Sequence, residues 1–241
     1  MLNDTQIPAP RVPIADKATP TREWFRFFSN LYDFIGLRDG VVPTTSGGTG
    51  LVSYATGDLL YATAPNVLSR LPVPGAAAYL GTDGTNTPQW IQVAYGAFID
   101  TTTQTAAANT PTLVNIGTTE HSRNVTLATS KVTLGNPGIY TIILSAQLTN
   151  ADTTNEDDIY IWLRVNGVDL ANSGSRVTIA KSRGGTPGSA LLTVNFFHEF
   201  VAGDYFELYW LSLAGLAQIV TYPVNTSPAA PGIILTVSQV V

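Results

Sequence analysis

Residues able to do chemistry are sparse in this 241-residue chain, and only one short stretch gathers them. Asp152, Glu156, Asp157 and Asp158 follow one another closely, with Asn150 and Asn155 between and beside them. Hard-oxygen side chains at this density could hold calcium. Their spacing is not that of an EF-hand loop, so a solvated turn is the expected reading. The histidines are His121 and His198, and neither belongs to an HExxH pattern. Glu199 adjoins His198, but neighbours on a strand point to opposite faces. The chain has no cysteine, hence no thiolate nucleophile, thiolate metal site or disulfide. Glycan cleavage needs two carboxylates across a groove, whereas most acidic residues here fall in expected loops or turns. Tyr160, Trp162, Tyr209 and Trp210 could stack on sugars, yet aromatic residues on strands more commonly serve a core or an interface. GGTG at 47–50 is not followed by GK[ST] and is not flanked by a strand and a helix, so it is no phosphate loop. The chain is therefore expected to bind and not to catalyse, with no catalytic, cofactor or metal residues.

The elements that would position these residues fall into three regions: 1–40, 41–93 and 94–241. The first holds Pro8, Pro10, Pro13 and Pro20 in a stretch with no core-forming pattern, which favours extended backbone. It reads as a docking arm. A helix is expected over 19–36, with Thr19 as N-cap, Pro20 at the first helical position, Glu23 in the first turn and Gly36 as the stop. Trp24, Phe27, Phe28, Leu31, Phe34 and Ile35 recur at helical spacing, giving one aromatic face. A helix this short is marginal alone, so that face, with Trp24, Phe27, Phe28 and Leu31 at its centre, is expected to be buried in an anchoring contact or a trimer. The second region, 41–93, alternates Gly and Pro with short apolar runs such as Asp58–Tyr61 and Gln89–Val93. No run is long enough to own a core, so these strands must pair between chains or against a neighbour.

From Tyr95 onward the pattern is all-β. Strands are expected at 95–100, 111–116, 123–134, 138–149, 158–166, 175–181, 190–201, 204–213, 216–222 and 232–241. Turn signals separate them at Asn136-Pro137-Gly138, Asn166-Gly167, Gly184-Gly185, Ala202-Gly203-Asp204 and Pro231-Gly232. Tyr140, Ile142, Leu144, Ala146 and Leu148 share one face, as do Ile159, Ile161, Leu163 and Val165. The run 204–213 is apolar on both sides, with Tyr205, Tyr209 and Leu211 opposite Phe206, Leu208 and Trp210. A sandwich in water needs one dry face per sheet, so Tyr205 and Tyr209 are expected at a trimer interface. The fold class is mainly β: a ten-stranded jelly-roll β-sandwich preceded by a Gly/Pro-rich segment and one short helix.

Charged residues are only 12% of the chain and the formal net charge is −5. That charge argues against a nucleic-acid or anionic-membrane surface. A surface so poor in charge suits burial against further copies of the same chain. The first residues lack the basic and apolar regions of a secretory signal, and no apolar run reaches membrane-spanning length. A soluble protein made in a cytoplasm is expected.

Three stretches resemble known families. Thr44–Arg70, TTSGGTGLVSYATGDLLYATAPNVLSR, is similar to a segment of tailed-bacteriophage fibre proteins in which a GGTG turn precedes GDLLYA. Pro20–Leu31, PTREWFRFFSNL, resembles regions that precede that segment. From residue 94 the chain resembles the jelly-roll heads of the complement and tumour-necrosis-factor families. Gly138-Ile139-Tyr140-Thr141-Ile142, Val201-Ala202-Gly203-Asp204-Tyr205 and Pro231-Gly232-Ile233-Ile234-Leu235 carry that likeness. Together the resemblances imply a homotrimeric fibre on the virion exterior, at the tail or baseplate. It would attach to another virion protein through residues 1–36 and present head loops 150–157, 182–189 and 223–231 to a host-surface glycan or protein. A head fibre or capsid decoration protein is the alternative, and a soluble carbohydrate- or protein-binding module is the second.

Overall fold

The computed structural model describes residues 7, 12–17, 19–34, 42, 44, 48–223 and 228–240. The chain divides into two units, Met1–Gln92 and Val93–Val241. The first begins with a tight ribbon, β1 (Ala15–Asp16) against β2 (Thr19–Pro20), followed by α1 (Arg22–Phe34). Helix α1 starts later than expected. Thr19 and Pro20 belong to β2, and the Thr19 hydroxyl donates to the Asp16 carbonyl at 2.8 Å to close the ribbon. The N-cap is Thr21, whose carbonyl accepts the Phe25 N–H at 2.8 Å. Its hydroxyl donates to the Pro13 carbonyl at 2.7 Å. Ile35 and the expected stop at Gly36 lie outside the described residues.

The glycine-rich segment forms two separate hairpins, β3 (Leu59–Ala64) with β4 (Val67–Leu71) and β5 (Tyr79–Thr82) with β6 (Pro88–Ile91). The expected apolar runs are thus paired, each with its immediate chain neighbour. Asp58 ties the base of the first hairpin. Its carboxylate accepts the Ala55 N–H at 2.7 Å and meets the Arg70 guanidinium at 3.3 Å. In GGTG, Gly48 packs so close to Val42 that a Cβ would strike the Val42 carbonyl.

The second unit carries β7 (Tyr95–Asp100), β8 (Gln104–Thr105), β9 (Thr112–Leu113), β10 (Thr118–Arg123), β11 (Val125–Ala128), β12 (Lys131–Leu134) and β13 (Gly138–Asn150). It continues with β14 (Asp157–Val165), β15 (Val168–Asp169), β16 (Ser175–Ile179), β17 (Gly188–Phe200), β18 (Tyr205–Ser212), β19 (Ala217–Ile219) and β20 (Ile233–Gln239). One sheet runs β10-β7-β20-β13-β17, with β19 and β8 continuing beside the end of β13. The other runs β11-β12-β18-β14-β16, with β9 beside β18 and β15 beside β14. The chain crosses from the first sheet at β13 to the second at β14, back at β17 and over again at β18, which is the crossing pattern of a jelly roll.

Alternation builds the core. Tyr140, Ile142, Leu144, Ala146 and Leu148 face Ile159, Ile161, Leu163, Phe206, Leu208 and Trp210 in one buried cluster. Each large apolar side chain so buried contributes roughly 1.5–3 kcal/mol. The expected strand 123–134 is a hairpin, because Thr129 and Ser130 take left-handed backbone at φ 50° and 62° and reverse the chain. The turn at Asn166-Gly167 forms as expected, with φ 48° and 82°.

The sandwich has two poles. At one, Tyr95 at the start of β7 pairs with Ser238 near the end of β20, and the Gln239 N–H donates to the Ala94 carbonyl at 2.9 Å. At the other, β13 ends at Asn150 opposite Gly188 of β17. The loops after β13 and before β17 gather toward this second pole, away from the second unit's leading end at Ala94.

Candidate functional site

The outer faces of the two sheets differ in chemistry. On the sheet of β14 and β18, Tyr205 and Tyr209 point outward and are half-buried. Their rings are already roofed from within the chain. Lys131 Nζ stands 3.9 Å from the Tyr205 ring centre, and the Arg164 guanidinium lies 3.8 Å over Tyr209. Arg164 pairs with Asp169 at 2.8 Å, and the Trp162 indole N–H donates to the same carboxylate oxygen at 2.8 Å. The Arg164 and Trp162 hydrogen bonds hold Asp169 below the usual carboxylate range. Asp158 is held low by the Thr178 hydroxyl and by Arg176, each at 2.6 Å. This face is a network of aromatics and charges that answer one another. The period-2 pattern shows which rings point outward, but not that a Lys or Arg on a neighbouring strand reaches over them.

The opposite sheet presents the bare surface. Ile143 on β13, Leu191 and Phe197 on β17, Ile234 on β20 and Tyr95 on β7 are all exposed, Phe197 to 65% and Leu191 to 58%. Phe197 stands opposite Thr141, Leu191 opposite Gln147, and Ile234 opposite Ser145. Ser145 and Thr193 share a hydroxyl hydrogen bond at 3.0 Å. Among the outward residues of β13, β17 and β20 the one charged side chain is Glu199, at the end of β17. The outward positions of 138–149 and 189–197 carry no charge, where a solvated sheet normally carries Lys or Glu, and that pattern can be read in the sequence.

The acidic cluster does not converge. Asp152 accepts the N–H groups of Thr154 and Asn155, at 2.7 and 2.6 Å, closing its own loop. These two bonds hold its carboxyl below the usual range. Asp157 is the first residue of β14 and points inward, whereas Asp158 points to the outer face. No group of three His, Asp or Glu among the described residues is placed to hold a metal. The loop is instead tied to its neighbour, with the Ser182 N–H donating to the Asp152 carbonyl at 2.7 Å and Lys181 to that of Thr154 at 3.3 Å. Of the loops expected to bind, 150–157 and 182–189 therefore form one joined surface. Part of 223–231 lies outside the described residues.

His198 turns inward and meets Phe200 edge-on at 4.8 Å, while Glu199 faces outward. His121 is exposed on β10. On α1, Trp24, Phe27 and Phe28 form a trio with ring centres 5.5–5.7 Å apart. The Trp24 indole donates to the Val12 carbonyl at 3.0 Å, so the preceding arm folds back on this residue. Phe25, Phe28, Leu31 and Tyr32 remain exposed. No described helix is long and apolar enough to cross a membrane.

No family model matches the chain, and no curated protein matches it.

Proposed function

We propose that the chain is a trimeric fibre subunit of a tailed-phage virion, at the tail or baseplate, that binds a host surface and cleaves nothing. The observation that carries this reading is the bare, nearly uncharged outer face of β13, β17 and β20, opposite a face whose charges are satisfied internally. A face without charge strands no ion when a second copy covers it, and exposed apolar patches of this kind mark protein contacts. Three heads meeting through these sheets leave the charged faces in water and the joined loops free at one pole. Three weak sites then act together by avidity. The GGTG…GDLLYA segment supports the fibre assignment. The exposed aromatic face of α1 supports attachment to another virion protein through residues 1–36.

Light scattering on the full chain tests the trimer. We expect three copies per particle for the wild type, and monomers for Phe197→Glu with an unchanged circular-dichroism spectrum. A wild-type monomer at micromolar concentration would sink the proposal. Antibody labelling of intact particles separates the tail from the capsid shell, where a decoration protein would sit.

A further inference from the structure

We propose that a cavity at the far end of β7, built around Asp100, binds a neutral sugar residue. This deepens the reading of the head as the host-binding part and rests on it. The cavity measures about 450 Å³ and is lined by Asp100, Thr102, Asn115, Gly117, Thr119 and Thr129, among others. That size suits a small ligand.

Asp100 occupies the inward register of β7, next after Phe98, and is only 5% exposed. Its Oδ1 is saturated. It accepts the Thr102 N–H at 2.8 Å, the Thr102 hydroxyl, and the Gln104 amide at 3.5 Å. No described residue donates to Oδ2. This oxygen lies at the cavity wall beside Gly117, where a Cβ would stand 3.2 Å from it. A carboxylate oxygen that no protein group satisfies is free to accept a hydrogen bond from outside, and a ligand hydroxyl would supply it.

The rest of the lining fixes the ligand class. Asp100 is the one charged residue on the wall. Around it stand hydroxyls and an amide that both donate and accept, as a sugar's hydroxyls do. Leu127 and Ile116 offer apolar surface for a sugar's C–H face. A lone carboxylate repels acidic sugars and phosphate, and it gives too few oxygens for calcium. Strain points the same way. Thr129 is β-branched and held at φ 50° at the tip of the β11–β12 turn, a conformation that Asn or Gly adopts far more readily. Such outliers persist where a site uses them.

Saturation-transfer NMR on the full chain, with glucose, galactose, mannose and N-acetylglucosamine at millimolar concentration, tests the site. We expect transfer from at least one neutral sugar and none from N-acetylneuraminic acid. Asp100→Asn replaces one carboxylate oxygen by a donor and should weaken binding by about tenfold or more. Thr119→Val, on an exposed strand position, should weaken it less and decides the matter if Asp100→Asn fails to fold. Asp158→Asn, on the outer face of the other sheet, should leave it unchanged. Absence of transfer from every neutral sugar, or wild-type affinity in folded Asp100→Asn and in Thr119→Val, overturns the site whatever the chain's place on a particle. Sugar binding abolished by Asp100→Asn, with normal adsorption of particles carrying that variant, keeps the site and overturns the host-binding reading.

Discussion

Asp157 holds one end of the sandwich together. Its side chain is buried at the start of β14. Its oxygens take the Ser212 hydroxyl and the N–H groups of Ala214, Leu216 and Ala217, the amides at 2.8–2.9 Å. Burial alone pushes its carboxyl up, but the Ser212 hydroxyl and the three amides outweigh that and leave it below the usual range. Its contribution is therefore complete above the unfolded value near ~3.9 and lost as the pH falls through the lower folded value. Asp157→Ala strands these donors, and we expect a loss of about 3–5 kcal/mol in chemical denaturation. Asp157→Asn should lose the part of the stability slope that the wild type shows below about pH 4. None of this was legible in the sequence, where Asp157 and Asp158 read as one acidic turn. They separate because β14 begins at Asp157, one residue before its expected start, and adjacent strand residues face opposite ways. Asp100 was missed for a related reason. It was placed at the end of the strand 95–100, but nothing near it in the sequence marks it as part of a site, and only the fold brings Thr119 and Thr129 to the same cavity.

The β11–β12 hairpin is the element most at odds with its own sequence. Its two-residue turn places Thr129 and Ser130 in left-handed backbone, where Asn-Gly is the natural occupant. Ser130 has a compensating role, since its hydroxyl accepts the Ile116 N–H at 3.0 Å. The Thr129 hydroxyl reaches only the carbonyl of Ala128, at 2.7 Å. Thr129→Asn should raise stability by about 1 kcal/mol in a thermal melt followed by circular dichroism. On the sugar-site proposal it should also weaken sugar binding. An unchanged melt would show that the turn is not strained. Because nothing in Ala128-Thr129-Ser130-Lys131 announces a turn, 123–134 read as one strand. The long strands were legible: every second position through most of β13, β14 and β18 is apolar, and Asn166-Gly167 marks the two-residue reversal from β14 to β15. The short strands β8, β9, β15 and β19 are set by pairing with long neighbours and leave little pattern of their own.

For the whole molecule, the division at Gln92–Val93 separates small hairpins and one aromatic helix from a unit with a continuous core. The composition change near Tyr95 made that boundary visible, since Gly and Pro punctuation gives way there to long alternating runs. On the proposed function, removing residues 1–36 should leave folded, associated heads that fail to join particles, scored by immunoblot of purified virions. Normal incorporation of the shortened chain would refute the anchoring role. The placement of β7 has a mechanical consequence. It is the first strand of the sandwich and is laced along its length to β20 on one side and β10 on the other. Antiparallel bonds lie across the strand direction. Tension between the leading end at Ala94 and the loops at the opposite pole runs along β7, so it loads those bonds in shear. They must fail nearly together, whereas a strand peeled from one end gives way a bond at a time, and resistance to such a pull is a property of the unfolding rate more than of equilibrium stability.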